Sequence, residues 1–128
     1  MLNAPVVGMA PSHDGQGYYE VAADGGVFCF GDAQFHGSLS GQTLNAPIVG
    51  IAVHPEGGYV LFGADGGVFV FGDVPFQGSL AGVTLNMPVV GGGITPDGGG
   101  YWLVGADGGV FAFGDAPFLG RVGVQANS

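Results

Sequence analysis

Six of the ten acidic residues in this 128-residue chain fall into two regular sets. Asp24, Asp65 and Asp107 each stand between an alanine and a Gly-Gly pair, and Asp32, Asp73 and Asp115 each follow Phe-Gly. Carboxylates repeated at a fixed interval can ring a set of cation sites, or they can accept backbone N–H bonds within their own turns. A calcium loop needs several oxygen ligands at alternate positions. Asp14-Gly-Gln-Gly, Glu56-Gly-Gly and Asp97-Gly-Gly-Gly each offer one. Both sets are therefore expected to be structural turns, and neither a metal nor another cofactor is expected.

The histidines and the serines are read the same way. His13, His36 and His54 do not occupy equivalent positions, so no repeated zinc centre can be built from them. His36 and Ser38, two residues apart and close to Asp32, come nearest to a nucleophile and its base. The second copy of this stretch keeps the serine as Ser79 but has Gln77 in the histidine's place. Ser38 thus reads as scaffold, no residue is assigned a catalytic role, and the chain is not expected to be an enzyme.

Binding has better material. Tyr19 and Trp102 stand where the middle copy has Val60, and His54 and Asp97 lie in the polar turns beside these strands. A flat aromatic ring near a polar turn is a surface on which a sugar or peptide stacks, although the same rings would serve to fill space between repeats. Glu20 is a second irregularity, because Leu61 and Leu103 occupy its place. A lone carboxylate in an apolar strand is costly unless paired or wet, so it marks either a water-filled channel or a face turned to solvent. Partners of some other classes are excluded. Arg121 is the single basic residue and the net charge is −9, which leaves nothing to displace counterions from a nucleic acid or an anionic membrane surface. No apolar run approaches a membrane span, and no basic segment followed by an apolar run opens the chain. The lone Cys29 cannot form an intrachain disulfide, so the compartment is not read from this chain.

The elements that must position these residues are repeated three times. Ala23 to Asp32 recurs almost letter for letter at Ala64 to Asp73 and Ala106 to Asp115, and each copy is preceded by Leu-Asn-x-Pro at Leu2, Leu44 and Leu85. The chain thus reads as a single repeat domain, 1–128, made of residues 2–43, 44–84 and 85–128, a period that suits one four-strand unit. A first strand follows each proline, with a mid-strand glycine (Gly8, Gly50, Gly91) that signals close approach of another backbone. A second begins at Tyr18, Tyr59 and Tyr101, and a third at Val27, Val68 and Val110 after an Asp-Gly-Gly turn of hairpin type. A fourth is expected at Phe35–Leu39, Phe76–Leu80 and 118–122.

In the first three strands odd and even positions are both apolar, so both faces of each sheet are expected to be buried. That profile favours an all-β fold of β-propeller blades, four strands to a repeat and three repeats to a chain. A β-trefoil, also three units of about four strands, and a β-solenoid are the alternatives.

The Asp-Gly-Gly-Val-Phe-x-Phe-Gly-Asp-x-x-Phe-x-Gly-Ser pattern, with Pro-Val-Val-Gly and Asp-Gly-x-Gly-Tyr-Trp before it, resembles the tandem Gly/Asp-rich repeats of secreted bacterial, particularly actinobacterial, proteins. It is more distantly similar to RCC1-type propeller repeats. The resemblance covers the whole chain and implies an extracellular or cell-surface accessory module rather than a catalyst. The function expected first is a binding module for carbohydrate or cell-envelope material that uses repeated shallow sites. The alternative is a structural repeat that binds only itself. Both groups usually have more than three blades, and three ordinary blades do not close a ring. Two chains are therefore expected to meet head to tail as a homodimer with six blades, with Arg121 near a junction.

Overall fold

The computed structural model describes residues 4–12, 14–39, 41–44, 46–72, 74–80, 87–95 and 97–115. Asp73, His13 and the stretch holding Phe118 to Val122 lie outside them. The described residues are all-β, with nine strands and no helix. β1 (Val6–Pro11), β2 (Gly17–Ala22) and β3 (Val27–Gly31) form the first sheet. β4 (Ile48–Val53), β5 (Tyr59–Gly63) and β6 (Val68–Phe71) form the second, and β7 (Val89–Ile94), β8 (Gly100–Gly105) and β9 (Val110–Gly114) the third. Each is an antiparallel meander with the second strand in the middle.

Local sequence accounts for each meander. Pro5, Pro47 and Pro88 sit just ahead of the first strands, where a missing N–H is harmless. The turns between second and third strands are closed by aspartate: Asp24, Asp65 and Asp107 accept the N–H of Gly26, Gly67 and Gly109 at 2.9–3.0 Å. The glycine after each aspartate has φ of 87 to 88°, a left-handed conformation that a side chain would strain. The same register slip recurs in each first strand, between Val6 and Gly8, Ile48 and Gly50, and Val89 and Gly91.

Antiparallel register assigns every side chain to one of two faces. In the second sheet one face carries Ile51, Val53, Tyr59, Leu61, Phe69 and Phe71, by the pairing of β4, β5 and β6. We call this the leading face, because it packs on the preceding sheet, with Ile51, Tyr59 and Leu61 in one core with Ala10, Tyr19, Val21 and Val27. The opposite, trailing face supplies Ala52, Val60, Phe62 and Val68 to a second core with Tyr101 and Leu103 of the third sheet. The three sheets are thus stacked in chain order, leading face on trailing face. The first strands come closest: a Cβ added at Gly8 would lie 3.2 Å from the Gly50 Cα, and one at Gly50 would lie 3.8 Å from the Gly91 Cα.

Two expectations are corrected. Among the described residues only the middle sheet has both faces packed against other sheets, and all five residues of β5 are buried. The leading face of the first sheet is open, with Met9 65% and Tyr18 and Phe30 each 40% exposed. The fourth strands at Phe35–Leu39 and Phe76–Leu80 are not strands, and the sheets are three-stranded among the described residues. Gly37 and Gly78 take φ of 129° and 126°, which breaks a pleat. The segments' backbone groups find other partners instead, such as the Leu39 N–H to the Gly25 carbonyl and the Leu80 N–H to the Gly66 carbonyl.

Candidate functional site

These connecting segments meet a tyrosine at each junction. The Tyr59 hydroxyl accepts the His36 N–H at 2.9 Å and donates to the Gly37 carbonyl. The Tyr101 hydroxyl accepts the Gln77 N–H at 2.8 Å and donates to the Gly78 carbonyl. Each glycine seats on the phenylalanine beside that tyrosine: a Cβ at Gly37 would lie 2.8 Å from Phe71 Cδ1, and one at Gly78 would lie 3.1 Å from Phe113 Cδ1. The Tyr–Phe ring centroids are 5.6 Å apart, at 40° for Tyr59–Phe71 and 39° for Tyr101–Phe113. Burial pushes the Tyr59 hydroxyl up to about 12 and raises that of Tyr101 as well.

The equivalent pair in the first sheet is Tyr18 and Phe30, and it is arranged differently. The rings stack at 4.7 Å and 15°, on the open leading face, beside a depression lined by Met9, Pro11, Gly17 and Glu20. The cross-strand pairs Met9–Glu20 and Glu20–Phe28 place the Glu20 carboxylate on this same face. The open face is therefore an aromatic platform with one charge near its middle.

The residues marked by sequence for ligand binding do not gather in one place. Tyr19 is 3% exposed; it packs against the Tyr59 ring at 4.9 Å and bonds through its hydroxyl to both the N–H and the carbonyl of Gln34. Burial raises its pKa. Trp102 lies on the trailing face of the third sheet, in register with Gly93 and Ala112 and half-buried. The second sheet lies between it and Tyr19. His54 is buried and bridges two repeats: its Nδ1 accepts the Glu56 N–H at 3.1 Å, which leaves Nε2 as the donor to the Gly98 carbonyl at 3.2 Å. Asp97 stands in that same neighbouring turn, where its Oδ1 accepts the Gly99 N–H at 2.9 Å.

Ser12 and Thr95 occupy the place of His54 in the outer repeats, and there they gather carboxylates. The Ser12 hydroxyl is 2.8 Å from Asp14 and 3.3 Å from Asp32, and the Thr95 hydroxyl is 2.8 Å from Asp97 and 3.2 Å from Asp115. Hydrogen bonding to the Asp14 carboxyl pushes Asp32 above its ordinary range, and Asp97 does the same to Asp115. Asp97 itself is held down, first by the Gly99 N–H. Asp14, Asp32, His36 and Glu56 line a pocket of about 240 Å³ where the first two repeats meet. Even so, among the described residues no three such side chains come within reach of one ion. The His36 ring packs on edge against Tyr59 at 5.7 Å.

Sequence reasoning left Tyr19 open between stacking a ligand and filling space between repeats; the structure gives it the second role and leaves its neighbour Tyr18 as the exposed ring. A signal for the tyrosine contact was present in the recurrence of Phe-x-Gly at Phe35, Phe76 and Phe118, one per tyrosine. No family model matches the chain, and no curated protein matches it.

Proposed function

We propose that this chain is a non-catalytic repeat module of the propeller-blade type, whose function is to dock further β-repeats face to face. The observation that carries the reading is the open leading face of the first sheet. The same face is covered by a preceding repeat in the second and third sheets, where Tyr59, Tyr101, Leu61 and Leu103 are all within 1% of full burial. A second copy, offering the trailing face of its third sheet, supplies the same kind of cover, and two such junctions make a six-bladed ring. Hiding an apolar patch of a few hundred Å² favours association. Measuring molar mass by light scattering across a concentration series tests this: a concentration-dependent dimer is expected, and a monomer at all concentrations rejects it.

A second reading has one specific observation in its favour. The stacked Tyr18 and Phe30 rings, with the Glu20 carboxylate beside them, offer the apolar plane and hydrogen-bond acceptor that a saccharide uses. A glycan array competed by free sugar tests it, and binding that survives Tyr18→Ala would place the sugar elsewhere or reject the reading.

A further inference from the structure

We infer that Tyr18 and Phe30 form a socket for the backbone of Leu119-Gly120 from a second copy of this chain. The inference rests on the docking reading above and names the contact that would select the partner. The chain builds this socket three times, and among the described residues two of them are filled. Tyr59 with Phe71 holds His36-Gly37, and Tyr101 with Phe113 holds Gln77-Gly78, each through one N–H, one carbonyl and a glycine laid on the phenyl ring. The Tyr18 hydroxyl has no hydrogen-bond partner among the described residues, and its ring has closed onto Phe30, to 4.7 Å from the 5.6 Å of the filled pairs.

The filled sockets specify the occupant. It must present a backbone N–H and then a residue without a Cβ, because the φ of 129° and 126° at Gly37 and Gly78 and the nearness of the phenyl rings both exclude side chains. The sequence contains three Phe-x-Gly stretches at equivalent places, and two are committed. Phe118-Leu119-Gly120 remains. Each described Phe-x-Gly stretch docks on the tyrosine of the sheet that follows its own, and no sheet follows the third among the described residues, so the repeating contact is completed on a second copy.

Two further contacts are ready to repeat at such a junction. A Cβ at Gly91, unlike one at Gly8 or Gly50, would meet nothing within 4 Å, which leaves room for the first strand of a neighbour. The Ile48 N–H bonds to the Ala23 carbonyl and the Val89 N–H to the Ala64 carbonyl. The next bond in this series joins the Val6 N–H of one chain to the Ala106 carbonyl of another.

Sedimentation equilibrium of the full chain, compared with Tyr18→Phe and Gly120→Val, tests the socket. Tyr18→Phe is expected to weaken association by about tenfold to seventyfold per junction, the size of an N–H and a carbonyl left without their partner, and Gly120→Val by at least as much, with each variant's monomer melting as wild type does. Association unchanged in both variants overturns the socket while the docking reading stands. A wild type that stays monomeric rejects the docking reading, and the socket is then judged by titrating the full chain with the peptide Ala-Pro-Phe-Leu-Gly-Arg-Val. A shift of the Tyr18 ring resonances that a Gly-to-Val peptide does not produce supports the socket, and no shift overturns it. A monomer destabilised by both substitutions also overturns it, because the occupant is then the chain's own segment.

Discussion

Replacing Tyr59 by phenylalanine isolates the contact that joins one repeat to the next. The ring is fully buried, and phenylalanine keeps its packing against Tyr19 and Phe71. Only the hydroxyl is lost, which leaves the His36 N–H and the Gly37 carbonyl without their partner. A buried group so orphaned costs about 1 to 3 kcal/mol. His36 is exposed and Gly37 half-buried, so water recovers part of this, and the expected loss is about 1.5 to 2.5 kcal/mol. Tyr18→Phe is the control. With no partner for its hydroxyl among the described residues, it should change monomer stability by less than about 0.5 kcal/mol, as an ordinary surface substitution does. Urea unfolding at low protein concentration measures both. A Tyr59→Phe variant no less stable than Tyr18→Phe refutes the reasoning, since the hydroxyl would then hold nothing. A pH series adds an independent readout. Folding raises the Tyr59 pKa from 10.0 to about 12, so the folded state holds this proton more tightly than the unfolded chain. Its contribution is complete below pH 10 and is lost as pH rises towards 12. The alkaline fall in stability should be shallower in Tyr59→Phe.

Three other perturbations test separate parts of the structure. Glu20→Leu should strengthen association at least several-fold, because the carboxylate sits on the open face where Leu61 and Leu103 are fully buried; sedimentation measures it, and unchanged association would mean that Glu20 lies outside any interface. Asp32→Asn should raise the thermal midpoint at pH 7 but not at pH 3. The Asp32 pKa is raised above 3.8 by Asp14, so its contribution is present below pH 3.8 and is lost as pH rises through the raised value; an equal effect at both pH values would contradict this. Gly98→Ala should cost about 2 kcal/mol or more, by urea unfolding, because it combines left-handed strain with a clash. The φ is 77° and the new Cβ would overlap the His54 ring. In a His54→Ala background the cost should fall to the backbone strain alone.

The sequence alone determined the threefold repeat, the three strands of each unit and the turns between them. These are local matters: an Asp-Gly-Gly turn, a proline before a strand and a Val-Phe-x-Phe run act over a few residues, and each recurs. The error at Phe35–Leu39 and Phe76–Leu80 was of another kind. Those residues suit a strand, but N–H and carbonyl groups in them are taken by Tyr59 and Tyr101 more than twenty residues away, and the recurring Phe-x-Gly marks the segment without naming that partner. Tyr18 and Tyr19 show the same limit. Alternation of period two places them on opposite faces of β2, and it is silent about which face the next sheet will cover. Stacking in chain order decided it: the second sheet buries Tyr19 with its own Tyr59 and leaves Tyr18 open with Phe30. Burial is a property of what packs against a face, and so the candidate site became visible only when the three sheets were seen together.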